Sequence, residues 1–185
     1  MEEAIQQLKN GGVVIIPTDT VYGIGCLASD EGAIKRIFEI KNRPLAKPIN
    51  VLVAGIDQIR DIAEIEPKEE QIIREYMPGA VTIILKKKGV LPDVLTAGLE
   101  TVGVRIPDDE TTRKIIEETG PLAVTSANYA DEDPAREVAD LPESLVEKVD
   151  YILDEGRVQG GMPSTIVQVV GDEIKTLRVG PIEIK

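Results

Sequence analysis

The stretch KNRPLAKP, at positions 41–48, concentrates charge that could bind an anion. It carries three cations, Lys41, Arg43 and Lys47, in a chain whose formal net charge is −12. Its two prolines fix their own φ angles and bias the preceding residues, Arg43 and Lys47, towards extended backbone. A stiff segment loses little conformational entropy when its side chains bind a ligand. The stretch therefore indicates an anion-binding loop, although a solvated helix end, favoured by the helix dipole, would carry cations in the same way.

Histidine is absent from the 185 residues, and Cys26 is the single cysteine. These counts exclude Ser-His-Asp and Cys-His catalysis, a histidine general base, the usual zinc sites and an internal disulfide. An enzyme of this composition works by positioning, electrostatics, carboxylates or an added metal ion. The net negative charge also argues against a general nucleic-acid-binding protein, which is normally basic.

Four further polar segments stand at the ends or starts of predicted strands. PTDT follows strand 13–16, RIP ends strand 102–106, TSAN follows strand 121–124, and PST opens the last hairpin. Ligands of open α/β sheets bind near strand ends, so these segments are candidate parts of one site. Each also has a plain alternative, because Ser, Thr and Asn are common turn residues and strand arginines often form exposed ion pairs. The candidate residues in these segments and in the tail are Thr20, Arg105, Thr125, Ser126, Asn128, Ser164 and Arg178.

Helical and strand-like patterns alternate along the chain and position these segments. They predict helices that begin after Asp30 and at Pro67, a helix that ends at Gly120, and a β-hairpin that turns at Gly171. Such alternation indicates an α/β fold with a mixed sheet. We expect a single domain over residues 1–185. The glycine-rich stretch EGRVQGGM is the predicted mobile segment.

Gly23, Gly25 and Ala28 match the dinucleotide-binding pattern G-x-G-x-x-A. The match lacks its context, because PTDTVY separates it from the preceding strand and the next helix begins near Asp30. Glycines that let the backbone turn and pack closely explain the pattern better. The sequence has no Walker A loop, so side chains must contact the phosphates of any bound nucleotide.

The termini and hydropathy favour a cytoplasmic protein without a membrane contact. No apolar run approaches the roughly 20 residues that a membrane span needs. The opening residues, MEEAIQQLKN, are acidic and amphipathic and do not resemble a secretory signal.

Six segments, taken in order, carry a family resemblance: PTDTVYGIG, IKNRPLAKP, VGVRIPDD, PLAVTSAN, MPSTIV and LRVG. Over residues 11–180 the chain resembles the YrdC/TsaC family, the threonylcarbamoyl-AMP synthases, in its single-domain form. The K-x-R and S-x-N pairs, Lys41 with Arg43 and Ser126 with Asn128, match the signature of that family.

The resemblance implies a YrdC-like fold, a twisted, open, mixed α/β sheet with flanking helices and a concave active-site face. It also implies a nucleotidyltransferase activity. Family members condense L-threonine, bicarbonate and ATP to L-threonylcarbamoyladenylate and pyrophosphate. A downstream transferase complex then moves the threonylcarbamoyl group to adenosine 37 of tRNA. Mg²⁺ is expected to arrive with ATP, with no metal ligand assigned to the protein, and a weak direct contact with tRNA is allowed. Fixed cations would stabilise the charge that moves onto the leaving pyrophosphate.

The resemblance also implies roles for the matching residues. Lys41 and Arg43 are the expected catalytic cations. The expected ATP-binding residues are Arg43, Lys47, Asn128 and Arg178. The expected threonine-binding residues are Thr20, Arg105, Thr125, Ser126 and Ser164, with Arg105 on the carboxylate. One position departs from the family, because Leu52 stands where some relatives have a histidine near the bound threonine.

Two other functions stay open at the level of sequence. The first is a non-catalytic, nucleotide- or RNA-binding YrdC-like module, which the net charge disfavours as an RNA binder. The second is a carbamoyl-transfer relative, because similar domains occur in larger hydrogenase-maturation proteins. The chain has neither the length nor the cysteines of those proteins.

Overall fold

The computed structural model describes residues 1–130 and 132–184, and it places nine strands of that part of the chain in one sheet. The helices are α1 (Glu2–Lys9), α2 (Glu31–Lys41), α3 (Ile56–Ile62), α4 (Pro67–Tyr76), α5 (Glu110–Thr119) and α6 (Glu143–Val146). The strands are β1 (Val14–Ile16), β2 (Gly23–Leu27), β3 (Asn50–Leu52), β4 (Val81–Lys86), β5 (Thr101–Arg105), β6 (Leu122–Ser126), β7 (Tyr151–Ile152), β8 (Thr165–Val170) and β9 (Glu173–Arg178).

The sheet is open and mixed, as the sequence predicts. From edge to edge its order is β7-β1-β2-β6-β3-β5-β4-β8-β9. The β1–β7, β3–β5 and β4–β8 pairs are parallel, and the other neighbouring pairs are antiparallel. The order brings together strands that are distant in the chain, so polar residues from both halves of the sequence meet near the centre of the sheet.

Alternation of side chains along the strands places a hydrophobic core on each face of the sheet. On one face, Val51, Ile83 and Val104 belong to the larger core, together with residues of α2, α3 and α4. On the other face, α1 and α5 build a smaller core with β1 and part of β6. The residues that alternate with the larger core in β3, β4 and β5 therefore lie on the same side of the sheet as α1 and α5, and they line a cavity there.

Most helix boundaries follow local signals. Asp30 caps α2 by accepting a hydrogen bond from the backbone N–H of Ala33 at 2.9 Å, and Asp109 caps α5 through the N–H of Thr112 at 2.7 Å. Pro67 occupies the first turn of α4, where its missing N–H costs no helical hydrogen bond. The predicted starts of α2 and α4 are confirmed, as are the predicted end of α5 at Gly120 and the final hairpin of β8 and β9.

Two elements are absent from the sequence-based prediction. Strand β2 contains Gly23 and Gly25, for which the sequence suggested a turn, and helix α3 follows Gly55, which offers no side-chain cap. The predicted mobile segment is irregular but attached to the fold. The Tyr22 hydroxyl donates to the Gly156 carbonyl at 2.7 Å, and the Gly161 N–H donates to the Thr20 carbonyl at 2.7 Å.

None of the helices in the described part of the chain is both long enough and apolar enough to cross a bilayer.

Candidate functional site

A cavity of about 330 Å³ opens on the sheet face that also carries α1 and α5, and its volume lies within the usual range of small-molecule sites. Its lining comes from the loop after β1, the loop after α2, strands β2, β3, β4, β5 and β6, the start of β8 and the end of β9. The cavity brings together seven of the ten residues that the sequence nominates: Thr20, Arg43, Arg105, Thr125, Ser126, Ser164 and Arg178.

The other three nominated residues lie outside this lining. Lys47 is exposed in the loop after α2. Asn128 uses its side-chain amide locally, because Nδ2 donates to the carbonyls of Tyr129 at 3.1 Å and Glu132 at 2.8 Å. Lys41 is buried at the end of α2. The functional roles of these three residues stay predictions.

Arg105, the last residue of β5, is bound by three acceptors beside the cavity. Its Nη2 donates to Asp19 Oδ1 at 2.5 Å, its Nη1 to Thr20 Oγ1 at 3.0 Å, and its Nε to the Gly79 carbonyl at 2.9 Å. Burial lowers the pKa of Arg105, and the Asp19 carboxylate opposes that shift. Each Nη carries two hydrogens, so one N–H on Nη1 and one on Nη2 have no recorded partner among the described residues and can donate to a planar anion.

Ser164 and Arg178 link neighbouring strands at the cavity. Ser164 Oγ lies 2.8 Å from Thr82 Oγ1 in β4, and it accepts a hydrogen bond from Arg178 Nη2 at 3.1 Å. Arg178 Nε also donates to the Ser164 carbonyl at 2.9 Å. Burial and the nearby Arg105 guanidinium lower the pKa of Arg178, so the two cations lie close enough to repel each other.

Arg43 organises the proline-containing loop that the sequence marks out. Its Nε donates to the Lys47 carbonyl at 3.1 Å and its Nη2 to the Pro48 carbonyl at 2.8 Å. The two bonds close the loop on itself and leave the guanidinium in the cavity lining. Burial lowers the pKa of Arg43. The stiffness inferred from the prolines is therefore reinforced by hydrogen bonds from the arginine.

Lys41 contacts the S-x-N strand rather than the cavity. Its Nζ donates to the Ser126 carbonyl and lies 3.4 Å from Thr125 Oγ1. The lysine is 6% exposed, and burial, with a smaller contribution from Arg43, lowers its pKa to about 7. Lys41 thus connects the end of α2 to the two β6 residues that line the cavity.

Gly23 and Gly25 pack β2 tightly against β6 and do not form a dinucleotide-binding turn. Gly23 pairs with Ser126, and a Cβ at Gly23 would lie 2.5 Å from a methyl carbon of Val124. The close packing predicted for these glycines is therefore found, whereas the predicted turn is wrong. The letters GIGCL do alternate small and apolar residues with period two, which is the signal that could have revealed the strand.

The sequence did not lead us to nominate Asp19, and it did not show whether Leu52 belongs to the site. Asp19 is the carboxylate partner of Arg105, and no local pattern indicates this pair, because the two residues lie 86 positions apart in the chain. Leu52 lines the cavity, so the position where some relatives have histidine is part of the site here and is apolar.

The cavity carries an excess of positive charge although the chain is acidic. Within the described residues Arg105 forms an ion pair with Asp19, while Arg43 and Arg178 form none. Three guanidiniums with one carboxylate partner suit an anionic ligand, because each can donate charge-assisted hydrogen bonds.

Comparison with known proteins matches residues 6–180 to the Sua5_yciO_yrdC family model, which is described as "Telomere recombination". A protein of Methanocaldococcus jannaschii is 35% identical over 97% of this chain and 85% of its own length. The threonylcarbamoyl-AMP synthases of Pyrococcus abyssi and Bacillus subtilis are each 36% identical, over 96% and 97% of this chain. The chain spans about half the length of these two proteins, 53% of each.

A solved structure gives the same grouping. The crystal structure of Pyrococcus abyssi Sua5 complexed with L-threonine matches with a TM-score of 0.91 and 36% identity. The match covers 96% of this chain and 53% of that protein.

Proposed function

The chain belongs to the Sua5/YciO/YrdC family, and from this membership we propose that it is a threonylcarbamoyl-AMP synthase. It condenses L-threonine, bicarbonate and ATP to L-threonylcarbamoyladenylate, pyrophosphate and water, which makes it a nucleotidyltransferase. The convergence of seven motif residues on one cationic cavity supports the proposal most strongly. The substrates are anionic or carry a carboxylate, so they suit the charge of that cavity.

The threonine half of the site is proposed around Arg105. The N–H groups that Arg105 leaves unused can hold the α-carboxylate, with Thr20, Thr125, Ser126 and Ser164 supplying hydroxyls around it. Asp19 keeps the guanidinium oriented from its other edge. The likeness to a Sua5 structure complexed with L-threonine supports this assignment.

The nucleotide half is proposed at Arg43 and Arg178, with Lys47 and Asn128 joining once ATP is bound. Lys41 and Arg43 then stabilise the charge that develops as the carbamate oxygen attacks the α-phosphorus and pyrophosphate leaves. Among the described residues no group of three or more Asp, Glu, Cys or His could hold a metal ion. We therefore propose that Mg²⁺ enters as part of MgATP, bound mainly by phosphate oxygens.

The product has its use outside this protein. A threonylcarbamoyl adenylate is a reactive mixed anhydride, and a downstream transferase complex would consume it to modify adenosine 37 of tRNA. We propose a cytoplasmic location on this ground, and a tRNA contact that is weak because the chain is acidic. A single domain of residues 1–185 is proposed to suffice for the adenylate-forming step.

Pyrophosphate release from ATP tests the function, with threonine and bicarbonate each omitted in turn. We expect release only when both are present. Release with neither would indicate a nucleotide hydrolase and contradict the threonine assignment. ATP binding without release under any condition would instead favour a non-catalytic nucleotide-binding module.

A further inference from the structure

Arg136 forms no ion pair with a described residue, a property that it shares with the two arginines of the proposed nucleotide site. The chain has nine arginines, and within its described residues six form ion pairs with carboxylates. An acidic chain with 33 Asp and Glu residues offers abundant partners, so an arginine without one is notable. The three arginines that form no ion pair with a described residue are Arg43, Arg136 and Arg178.

The hydrogen-bonding capacity of Arg136 is largely unused. Its Nη2 makes only long contacts to the carbonyls of Val158, at 3.4 Å, and Gln159, at 3.3 Å. Its Nε is buried without a hydrogen-bond partner, and the structure records no bond from Nη1 to the described residues. Buried donors are normally satisfied, so an orphaned one indicates a missing water, ion or ligand.

The backbone makes room for this guanidinium. Gly161 has a φ of +138°, and a Cβ at that position would lie 3.2 Å from Arg136 Nε. A side chain on residue 161 would therefore be strained and would crowd the guanidinium. The segment QGG thus packs its bare backbone against Arg136, in the same way that bare backbone often lies beside a bound ligand.

Arg136 lines a second cavity, of about 700 Å³, next to the threonine half of the proposed site. Thr20 lines both cavities. Asp19 also lines the second cavity, but its carboxylate is neutralised by Arg105 at 2.5 Å. Glu137, the neighbour of Arg136, is likewise bound by Arg157 at 2.5 Å. Among the residues that line this cavity, Arg136 is therefore the cation that can bind an anion.

We propose that Arg136 binds bicarbonate, an inference that rests on the proposed function. Bicarbonate is a small planar anion, which suits a guanidinium whose Nη1 has no recorded bond within the described part of the chain. It must meet the amine of threonine, and the second cavity adjoins the threonine side through Thr20. The loop of residues 41–48 contributes nothing to the described lining of this cavity, so the phosphates of ATP are the poorer occupant.

The site serves the first step of the reaction, in which threonine becomes a carbamate. The threonine ammonium and bicarbonate give the N-carboxy anion, one water and one proton. A C–N bond forms, a C–O bond breaks, and the oxygen leaves as water. Arg136 holds the bicarbonate oxygens and takes no part in the bond changes.

The test compares Arg136→Gln with Arg157→Gln, which removes the same charge from an exposed arginine already paired with Glu137. Pyrophosphate release is measured against bicarbonate in CO₂-depleted buffer at saturating threonine and ATP. We expect Arg136→Gln to raise the KM for bicarbonate about ten- to hundredfold, the factor typical of losing a charged hydrogen bond, and to leave the KM for threonine and ATP within about twofold. Arg136→Lys should restore part of the loss, because it keeps the charge without the fork.

A second readout does not depend on turnover. The wild-type protein should broaden the ¹³C resonance of labelled bicarbonate more than Arg136→Gln does, with both proteins shown to be folded by circular dichroism. This result would stand even if the wild type released no pyrophosphate, so it separates the two proposals. Equal broadening by both proteins, an effect confined to the KM for ATP, or an equal loss in Arg157→Gln would overturn the bicarbonate assignment.

Discussion

At the scale of single residues, Lys41 shows how burial changes the chemistry of a cation. The lysine keeps two oxygen partners, Ser126 and Thr125, yet no carboxylate is close enough to pair with it within the described residues. Burial without a counter-charge penalises the protonated form, and the Arg43 guanidinium adds repulsion. Lys41 therefore titrates near neutrality in the unliganded fold. An anionic nucleotide at the site would favour the charged form and return the pKa towards its ordinary value.

This titration predicts a pH-dependent stability difference for Lys41→Met. The folded pKa is about 7 and the ordinary value is 10.5, so between them the unfolded chain holds a proton that the fold lacks. Stability contributed by Lys41 is therefore lowest below about pH 7 and rises as the pH increases towards 10.5. We expect the free energy of unfolding of Lys41→Met, relative to that of the wild type, to be highest near pH 6 and to fall progressively up to about pH 9.5. Denaturant unfolding at each pH measures this difference.

Lys114→Met is the matched control for this experiment. Lys114 is exposed, and its hydrogen bond to Glu110 raises its pKa, so its contribution is fully present below 10.5. The difference in free energy of unfolding between this variant and the wild type should stay constant over the same pH interval. A flat profile for Lys41→Met as well would show that Lys41 does not titrate near neutrality.

Arg105→Lys tests the recognition of a planar carboxylate at the residue scale. Lysine keeps the charge beside Asp19 but cannot reproduce the three directed bonds or offer a fork to the substrate. We expect the KM for threonine to rise about tenfold or more, with a smaller change in the KM for ATP. The same change at Arg113, which pairs with Asp108 at the surface, should leave both constants unchanged. An unaltered threonine KM in Arg105→Lys would remove Arg105 from the threonine half.

At the scale of elements, contact between β2 and β6 sets the position of the S-x-N segment. Strand β6 approaches β2 closely because Gly23 has no side chain, and Gly23 pairs directly with Ser126. Gly23→Ala would place a carbon 2.5 Å from a Val124 methyl, which is closer than any real contact, so the strands must separate or Val124 must shift. We expect a loss of about 1–3 kcal/mol in the free energy of unfolding, as for other overpacked sites.

Gly32→Ala provides the control, because Gly32 lies in α2 and its nearest neighbour to an added Cβ is an Asp30 oxygen at 3.4 Å. Alanine is the better helix former, so this variant should equal or exceed the wild type in stability. Thermal and denaturant unfolding of the two variants distinguish a specific strand contact from a general sensitivity to Gly→Ala changes. A Gly23→Ala protein as stable as the wild type would mean that β6 can adjust freely.

The elements that the sequence predicts correctly are those with local signals. Asp30, Pro67 and Gly120 mark helix ends because capping and φ restriction depend on a few neighbouring residues. Strand β2 escapes prediction because glycine is unfavourable in strands unless a neighbouring strand requires its small size, and that neighbour lies about 100 residues away in the chain. Helix α3 is short and lacks a side-chain cap, so its signal is weak.

The order of the motifs predicts which residues belong to the site, but it does not predict how they are arranged in space. Motif order nominates Arg43, Ser126 and Ser164 together, but only the sheet order brings β6, β4 and β8 to one cavity. The Asp19–Arg105 pair and the lone Arg136 depend on packing between distant segments. Local sequence carries no record of which buried cation has a partner, so the charge balance of the site had to come from the structure.

At the scale of the whole molecule, one continuous sheet predicts one cooperative unfolding transition. Hydrogen-bonded neighbours run without interruption from β7 to β9, and the larger core includes residues from β1 to β8. The smaller core also joins several strands, because it includes residues of β1, β3 and β6. We expect calorimetry to give a single peak whose van't Hoff and measured enthalpies agree, at on the order of 130 kcal/mol near 60 °C for this length. The result bears directly on the proposed single domain.

Calorimetry with ligands gives a second test of a single folding unit, because the proposed site uses residues from both halves of the sheet. ATP with threonine contacts β6 and β9 together in the proposed complex, so their binding should move the whole peak to higher temperature without splitting it. If instead two peaks appear, and the ligands shift only one of them, the β4–β8–β9 half folds independently. Ser164 and Arg178 would then belong to a unit separate from Ser126, and a single rigid cavity could not be the basis of the activity.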